Sequence, residues 1–408
     1  RRVPAAATAG RWVRAVGYHE TVAGPLDAAA LDAMVADRPL RVQHRSGELW
    51  MLNSAAMAAV GLADADHPGV ERDAGGRPTG RLWRMDTWLA GRVPPAAADL
   101  AAVGRRAAAA GVTGFTDATP DRRRGDAEDL AAALPQRIYA MGPAGDPEEG
   151  PGGGTGVPGE CPVRTAGGAP SRPGGDPGAP GRPPVKVMLD DTSLPEVGTL
   201  AAVARAAHSG GRGIAVHCVT GVQLAVTLAA LQEAGPPPAG GADRVEHGAV
   251  VNPDHRRLLR RLGVTVVTQP AMAAERGDDY LREVDPDERG LLWPLASLVA
   301  AGVRVAGGTD APFGPGDPWV AVAAAVQRRT PAGAVLGAGE RVGPWAALRL
   351  FLGHATRPWQ RRRVEVGARA DLCLLATPLA DTLWGLARGI RPPVRATVRG
   401  DEIIHGEP

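Results

Sequence analysis

Residues 213–247 read GIAVHCVTGVQLAVTLAALQEAGPPPAGGADRVEH, a strand, a helix and a second strand in one repeating unit. Residues 213–217 are a short apolar run closed by a histidine, and residues 243–247 end the same way. Between them, residues 222–234 are long and apolar enough for a crossover helix. Strands joined by such a crossover lie parallel. The pattern extends in both directions. Strand-like runs occupy residues 111–117, 137–141 and 184–189 upstream, and residues 263–269 and 302–310 downstream. Helical segments end near His208 and span residues 253–262 and 291–301. Seven strands alternating with helices predict an α/β fold with a parallel sheet. Most of them end in a polar residue, which points to a (β/α)8 TIM-type barrel more than to an open sheet. One strand, the first, is missing from this count. No G-x-G-x-x-G follows the opening strand, so a dinucleotide-binding sheet has no support.

Residues 1–110 are expected to form a subdomain inserted after the missing first strand. There residues 11–18 and 38–44 read as strands. Residues 26–36, 52–60 and 96–110 read as helices, with Asn53 or Ser54 capping the second. The barrel is expected over residues 111–360. Within it, 25 of the 43 residues from 142 to 184 are glycine or proline, and no periodicity survives. This segment reads as a disordered insertion. Residues 361–408 change character again. Residues 366–375 and 394–404 look like antiparallel strands of a small β domain.

Composition narrows the function classes. The 46 basic and 44 acidic residues leave a net charge of +2, which gives no electrostatic case for nucleic acid or membrane. No apolar run reaches spanning length. Three widely spaced cysteines, Cys161, Cys218 and Cys373, argue against a disulfide framework and fit a reducing, cytoplasmic compartment. No nucleophile elbow, phosphate loop or CxxC motif occurs.

In a parallel barrel the polar residues at the carboxyl ends of the strands face one shared site. In chain order these ends supply Asp117, Lys186, His217, His247, Gln269 and Asp310. Lysine, two histidines and an aspartate on four strands are a donor set for a divalent metal, because neutral imidazole and carboxylate suit Zn²⁺ and its neighbours. As an ammonium, Lys186 is no ligand. Once its neutral amine has taken up CO₂, it is a carbamate, in effect a long carboxylate. Lys186 is also the one lysine in the chain, the other 45 basic residues being arginine. Arginine keeps its proton whereas a buried lysine can lose it, so a position that stays lysine under such a bias points to a need for an amine.

Taken singly, each residue has a structural reading. Asp310 could brace the turn GGTDAP. A lone histidine after an apolar strand is more often a hydrogen-bonded core residue. The shared register favours a set, since the four candidates are separated by ~30, ~30 and ~60 residues, one or two βα units each. His19 and Glu20 follow the first strand-like segment and could line the mouth of the site. His44, His67, His208, His255, His354 and His405 are read as structural or exposed.

The ordered landmarks Gly17-Tyr18-His19-Glu20-Thr21, Leu52-Asn53-Ser54-Ala55-Ala56, Val185-Lys186-Val187, Arg244-Val245-Glu246-His247, Gln269-Pro270 and Thr309-Asp310-Ala311-Pro312 with Asp317-Pro318 resemble the metal-dependent amidohydrolase superfamily. The branch is amidohydrolase family 3, which contains N-substituted formamide deformylases. The closing landmarks are residues 367–372 and Val398-Arg399-Gly400. The resemblance covers nearly the whole chain outside the Gly/Pro-rich segment. It implies an eight-stranded barrel and a small β-sandwich built from both chain ends. It also implies that Lys186 is the carbamylated bridging lysine, that His217 and His247 are the histidines of the fifth and sixth strands, and that Asp310 is both ligand and proton acceptor. One or two divalent ions, expected to be zinc, follow from the same resemblance. His19, Glu48, Asn53 and Gln269 are the expected substrate contacts.

The sequence departs from the family at two points. It contains no His-x-His, the pair that ends the family's first strand, so one ion's site is expected to keep only Asp310 and a share of Lys186. Glu48 stands where the family often has histidine before the Asn-Ser motif. The expected activity is hydrolysis of non-peptide C–N bonds, in an amide, N-acyl or N-formyl amine of small size, by metal-activated water. A non-catalytic, ligand-binding paralogue and an ester or lactone hydrolase are the competing expectations. A homo-oligomer is left open.

Overall fold

The computed structural model describes residues 12–94, 98–120, 122, 125–142, 164–165, 182–239 and 241–407. The expected disordered insertion at 142–184 therefore lies mostly outside the described residues. The chain divides into two compact units, Arg1–Ala98 and Asp99–Pro408.

The first unit is built on a five-stranded sheet. Its strands are β1 (Val13–Tyr18), β2 (Leu40–His44), β3 (Leu49–Leu52), β4 (Val70–Arg72) and β5 (Pro78–Trp83), ordered β1-β2-β3-β5-β4. β1 and β2 run parallel, and the remaining neighbours are antiparallel. Alternation in β2 buries Leu40 and Val42 against Leu26, Leu31 and Met51. Residues 52–60 were expected to be one helix. The structure splits them, with Leu52 closing β3 and the helix Ser54–Val60 starting behind an Asn53 cap. LWML at 49–52 is apolar throughout, and a short unbroken apolar run does not distinguish strand from helix by periodicity.

In the second unit β6 (Gly114–Asp117) and β7 (Arg137–Ala140) pair in parallel. Beyond β7, Gly142 bridges Val185 in the parallel sense, and the Lys186 N–H donates to the Gly142 carbonyl at 3.1 Å. This bridge leads to the next sheet, whose strands are β8 (Arg164–Thr165), β9 (Val185–Met188), β10 (Ile214–Cys218), β11 (Arg244–His247), β12 (Thr265–Thr268) and β13 (Arg304–Gly307). β8 is antiparallel to β9; β9 to β13 are parallel and adjacent in chain order. Six of the seven parallel strands fall within the expected segments, and β10 runs one residue past its own, to Cys218. Among the described residues, β6 and β13 each have one strand neighbour.

The register explains why this sheet forms. Val187, Val216, Val245, Val266 and Val305 lie side by side across β9 to β13. They make one apolar row packed on Leu200, Leu224, Leu228, Leu231, Leu259 and Leu298 from the surrounding helices. Fully burying one such side chain contributes about 1.5–3 kcal/mol. The helix Gly221–Ala234 begins with a complete capping box, in which Thr220 and Gln223 satisfy each other's backbone N–H groups.

The tail forms a three-stranded antiparallel sheet of β14 (Asp371–Leu375), β15 (Val394–Arg399) and β16 (Glu402–Gly406). Residues 394–404 were expected to be one strand. They are a hairpin instead, turning at Gly400, whose φ of 67° suits a residue without Cβ. Thr397 ties β15 to the helix Leu100–Ala108 by donating to the Ala108 carbonyl at 2.7 Å.

Candidate metal centre

Strand alternation sets the face on which each candidate lies. The valine row looks at the helices, so the rows on either side of it, Lys186-Ala215-Arg244-Thr265 and His217-Glu246-Val267-Ala306, look the other way. Lys186 and His217 thus share a face by parity alone. His247 does not, because it falls two residues after Val245. Its φ of 74° takes it out of the extended conformation at the end of β11, and its ring meets His217 edge-on with centroids 4.5 Å apart. Asp310, three residues past β13, has a φ of 56°. Two candidate ligands in left-handed backbone is local strain of the kind that collects at functional sites.

Lys186 is only 3% exposed. Burial lowers its pKa, and the nearby Arg244 adds to the effect; Glu246, Cys218 and Asp310 oppose it. Burial holds His217 well below the usual imidazole range, helped by His247 and Lys186. Burial and Lys186 bring His247 down to about 4. Asp310 moves the other way: desolvation raises it to about 6, against the pull of Lys186 and Arg276. Both imidazoles are therefore neutral near pH 7, the state a metal requires, and the lysine amine is biased towards its uncharged, reactive form. This donor chemistry fits a divalent cation.

Gln269 decides which nitrogen of His247 is free. Its Nε2 donates to the Val267 carbonyl at 3.0 Å, so Oε1 faces His247 Nδ1 at 2.9 Å. An amide oxygen accepts, so Nδ1 carries the proton and Nε2 keeps its lone pair. Gln269 was expected to touch substrate. It is 3% exposed behind His247, and both ends of its amide are engaged in positioning that ring.

Glu246 is the residue that sequence reading passed over. It is buried beside Lys186 and Arg244, and Arg244 Nε donates to its carboxylate. The signal was present in the alternation, since Glu246 lies two residues after Arg244 on the same face as Lys186. Arg276, close enough to influence both His247 and Asp310, was also missed.

The remaining expected substrate contacts lie in the first unit. Asn53 is fully buried, accepts from the Leu40 and Ala56 N–H groups, and donates to the Val35 and Arg38 carbonyls. Its amide is thus spent on bracing the backbone and has nothing left for a substrate. Glu48 pairs with Arg84 at 3.1 Å, half-exposed. His19 stands beside Glu20 and His44. Among the described residues these three alone bring His, Cys, Asp or Glu ligand atoms within 4.8 Å of one another in a group of three. His217, His247 and Asp310 are spread more widely, and it is Lys186 that lies electrostatically close to all three.

The chain belongs to the amidohydrolase family, whose model matches residues 2–405. It is similar to "Putative amidohydrolase YtcJ" of Bacillus subtilis (strain 168), 24% identical in an alignment 339 residues long that covers 74% of this chain and 60% of that protein. It is also similar to the N-substituted formamide deformylase of Arthrobacter pascens, 31% identical over 153 residues, 36% of this chain and 28% of that one. The chain thus matches less than two thirds of the length of either relative. Among solved structures it resembles an uncharacterized metal-dependent hydrolase from Pyrococcus furiosus, with a TM-score of 0.55 and 18% identity over 88% of this chain and 77% of the other. A second, from Pyrococcus horikoshii OT3, gives 0.54 and 17% over 86% and 76%. These likenesses describe the fold. No helix among the described residues is long and apolar enough to cross a membrane.

Proposed function

We propose that this chain carries the barrel and the metal-binding core of a hydrolase acting on non-peptide C–N bonds of small amides, with N-formyl or N-acyl amines as the substrate class. The observation that carries the reading is the grouping of the chain's one lysine, on β9, with two neutral histidines near the ends of β10 and β11 and an aspartate of raised pKa three residues past β13. The name of the Arthrobacter relative supports N-substituted formamides among the substrates.

Lys186, His217, His247 and Asp310 would hold one or two zinc-like ions. The uncharged Lys186 amine adds to CO₂, forming an N–C bond and releasing one proton, and the carbamate so made offers two oxygens. A bound ion supplies acidification of a water molecule and polarisation of the scissile carbonyl. The chain's own residues do the rest. Gln269 keeps the proton of His247 on Nδ1 and so keeps Nε2 available. Glu246 and Arg244 fix the charge around Lys186. Asp310, with its pKa raised to about 6, takes a proton from the attacking water and returns it to the departing amine.

The test is hydrolysis of a panel of N-substituted formamides and N-acyl amines by protein prepared with zinc and bicarbonate, beside Lys186→Ala and Asp310→Asn. The expected result is zinc-dependent release of free amine that falls by roughly 10²–10⁴ in Asp310→Asn. Turnover undiminished in both variants, or a zinc-loaded protein inert to every C–N substrate, overturns the reading.

A further inference from the structure

β1 and β2 are parallel neighbours, with Tyr18 opposite His44. His19 follows β1 directly, Glu20 comes next, and His44 is the last residue of β2. Two adjacent strands thus deliver two imidazoles and a carboxylate at their carboxyl ends, the edge of a parallel pair where ligands collect. We propose that His19, Glu20 and His44 form a second divalent-cation site, built wholly within the first unit and sharing no residue with the Lys186 centre.

Geometry carries the proposal. One ligand atom from each residue lies within 4.8 Å of the others. The two imidazole centroids are 5.4 Å apart, and Glu20 Oε2 is 3.0 Å from His44 Nε2. The outer partners repeat between the strands. His19 Nδ1 is 2.9 Å from Thr21 Oγ1, and His44 Nδ1 is 2.8 Å from Ser46 Oγ. In each case the backbone N–H of that hydroxyl residue donates to Nδ1, at 3.3 Å for Thr21 and 3.1 Å for Ser46, so Nδ1 is an acceptor and the ring proton lies on Nε2. An ion held at Nε2 would require the ring proton to move to Nδ1, where the neighbouring hydroxyl can turn to accept it. Binding exchanges these two contacts, and the His44–Glu20 hydrogen bond, for three metal bonds. The ring proton of His44 moves to Nδ1, so no net proton is released there.

The donor chemistry selects the cation. Two imidazole nitrogens and one carboxylate suit Zn²⁺ and leave a fourth position for water. The oxygen-only shells that Ca²⁺ and Mg²⁺ take are absent among these three residues. The His44 and Glu20 side chains are 15% and 34% exposed, so the cluster is sheltered yet open to solvent. An ion there would clamp the end of β1 to the end of β2 and stabilise the first unit by linkage.

The experiment uses the full chain with the other centre removed by His217→Ala and His247→Ala. After zinc loading and gel filtration this background is expected to hold about one zinc per chain. It is also expected to melt at a higher temperature with zinc than without, and to show tetrahedral Co²⁺ absorption when loaded with cobalt. Adding His19→Gln or His44→Gln is expected to abolish all three signals while leaving the metal-free circular dichroism unchanged. A folded background that takes up no zinc overturns the proposal and reduces the cluster to an ordinary His44–Glu20 ion pair. So does zinc retained at full stoichiometry in both glutamine variants. If the double-alanine background melts early, His44→Gln in the otherwise native chain is expected to lose one equivalent, and undiminished metal content is again the overturning result. Since the background lacks the Lys186 centre, failure here leaves the hydrolase reading untouched.

Discussion

Lys186, Gln269 and Asp310 illustrate three ways in which burial becomes chemistry. Arginine at position 186 keeps the charge but has no amine to lose a proton, so Lys186→Arg is expected to eliminate zinc binding at this centre, as measured by elemental analysis; retained metal would remove the carbamate from the argument. Gln269 acts through His247. Gln269→Leu keeps the volume but releases Nδ1, and zinc affinity at this centre is expected to fall by roughly 10–100-fold in competition with a chelator. Asp310 carries a sign that can be checked. Its folded pKa, about 6, lies above the unfolded value near 3.8 because desolvation opposes the charge. Its ionisation therefore destabilises the metal-free fold, by about 3 kcal/mol once the pH exceeds both values, and this cost fades as pH falls from 6 towards 4. Asp310→Asn is expected to stabilise the chelator-treated protein in urea at pH 8 and to lose most of that gain near pH 4. A gain that does not vary with pH would show that the carboxyl's ionisation is not the cause. Much of this site was legible in the sequence, because alternation alone puts Lys186 and His217 on one face. The place of His247 was not, since it depends on a φ of 74° that breaks the alternation. The role of Gln269 was hidden for a related reason: its position behind the ring follows from the orientation of its amide.

At the scale of elements, the strand–helix units were readable because each carries its own start and stop signals. Asn252 and Pro253 open the helix Pro253–Leu262, and Gly263 closes it in a left-handed conformation, so both ends match expectation. Asp317-Pro318 is the same kind of opening for the helix Pro318–Gln327, with Asp317 accepting from the Trp319 N–H. It was noticed in the sequence as a family landmark, although its local meaning is a cap. The antiparallel pairing of β3, β5 and β4 was not readable, because LWML lacks alternation and β4 is three residues long. Where a signal was present, its worth can be measured. Thr220 caps the helix that follows β10 and also donates to Asp191 at 2.9 Å. Thr220→Ala is expected to cost about 1 kcal/mol in chemical denaturation. Leu224, fully buried one turn later against the valine row, is expected to cost about 2–5 kcal/mol when cut to alanine. Equal losses in the two variants would mean that the cap does more than satisfy a helix end.

On the scale of the whole molecule, the division at Asp99 separates two sets of chemistry. The buried clusters around Leu52 and around Leu31 draw on residues of the first unit. Those around Val216, Trp319 and Met272 draw on the second. Lys186, His217, His247, Gln269, Glu246 and Asp310 all lie in the second unit, as do every strand of the parallel sheet and the helices that cover the valine row. A unit with its own core and all four candidate donors should fold and bind without the other. Residues 99–408 expressed alone are therefore expected to give a cooperative melt and to hold about one zinc per chain after loading with zinc and bicarbonate, lost on Lys186→Ala. Glu20, His19 and His44 are absent from that fragment, so zinc bound there has no contribution from the first unit. A fragment that folds but stays metal-free would place an essential part of the centre among residues 1–98. A fragment that fails to fold would mean that the second unit's core is incomplete on its own.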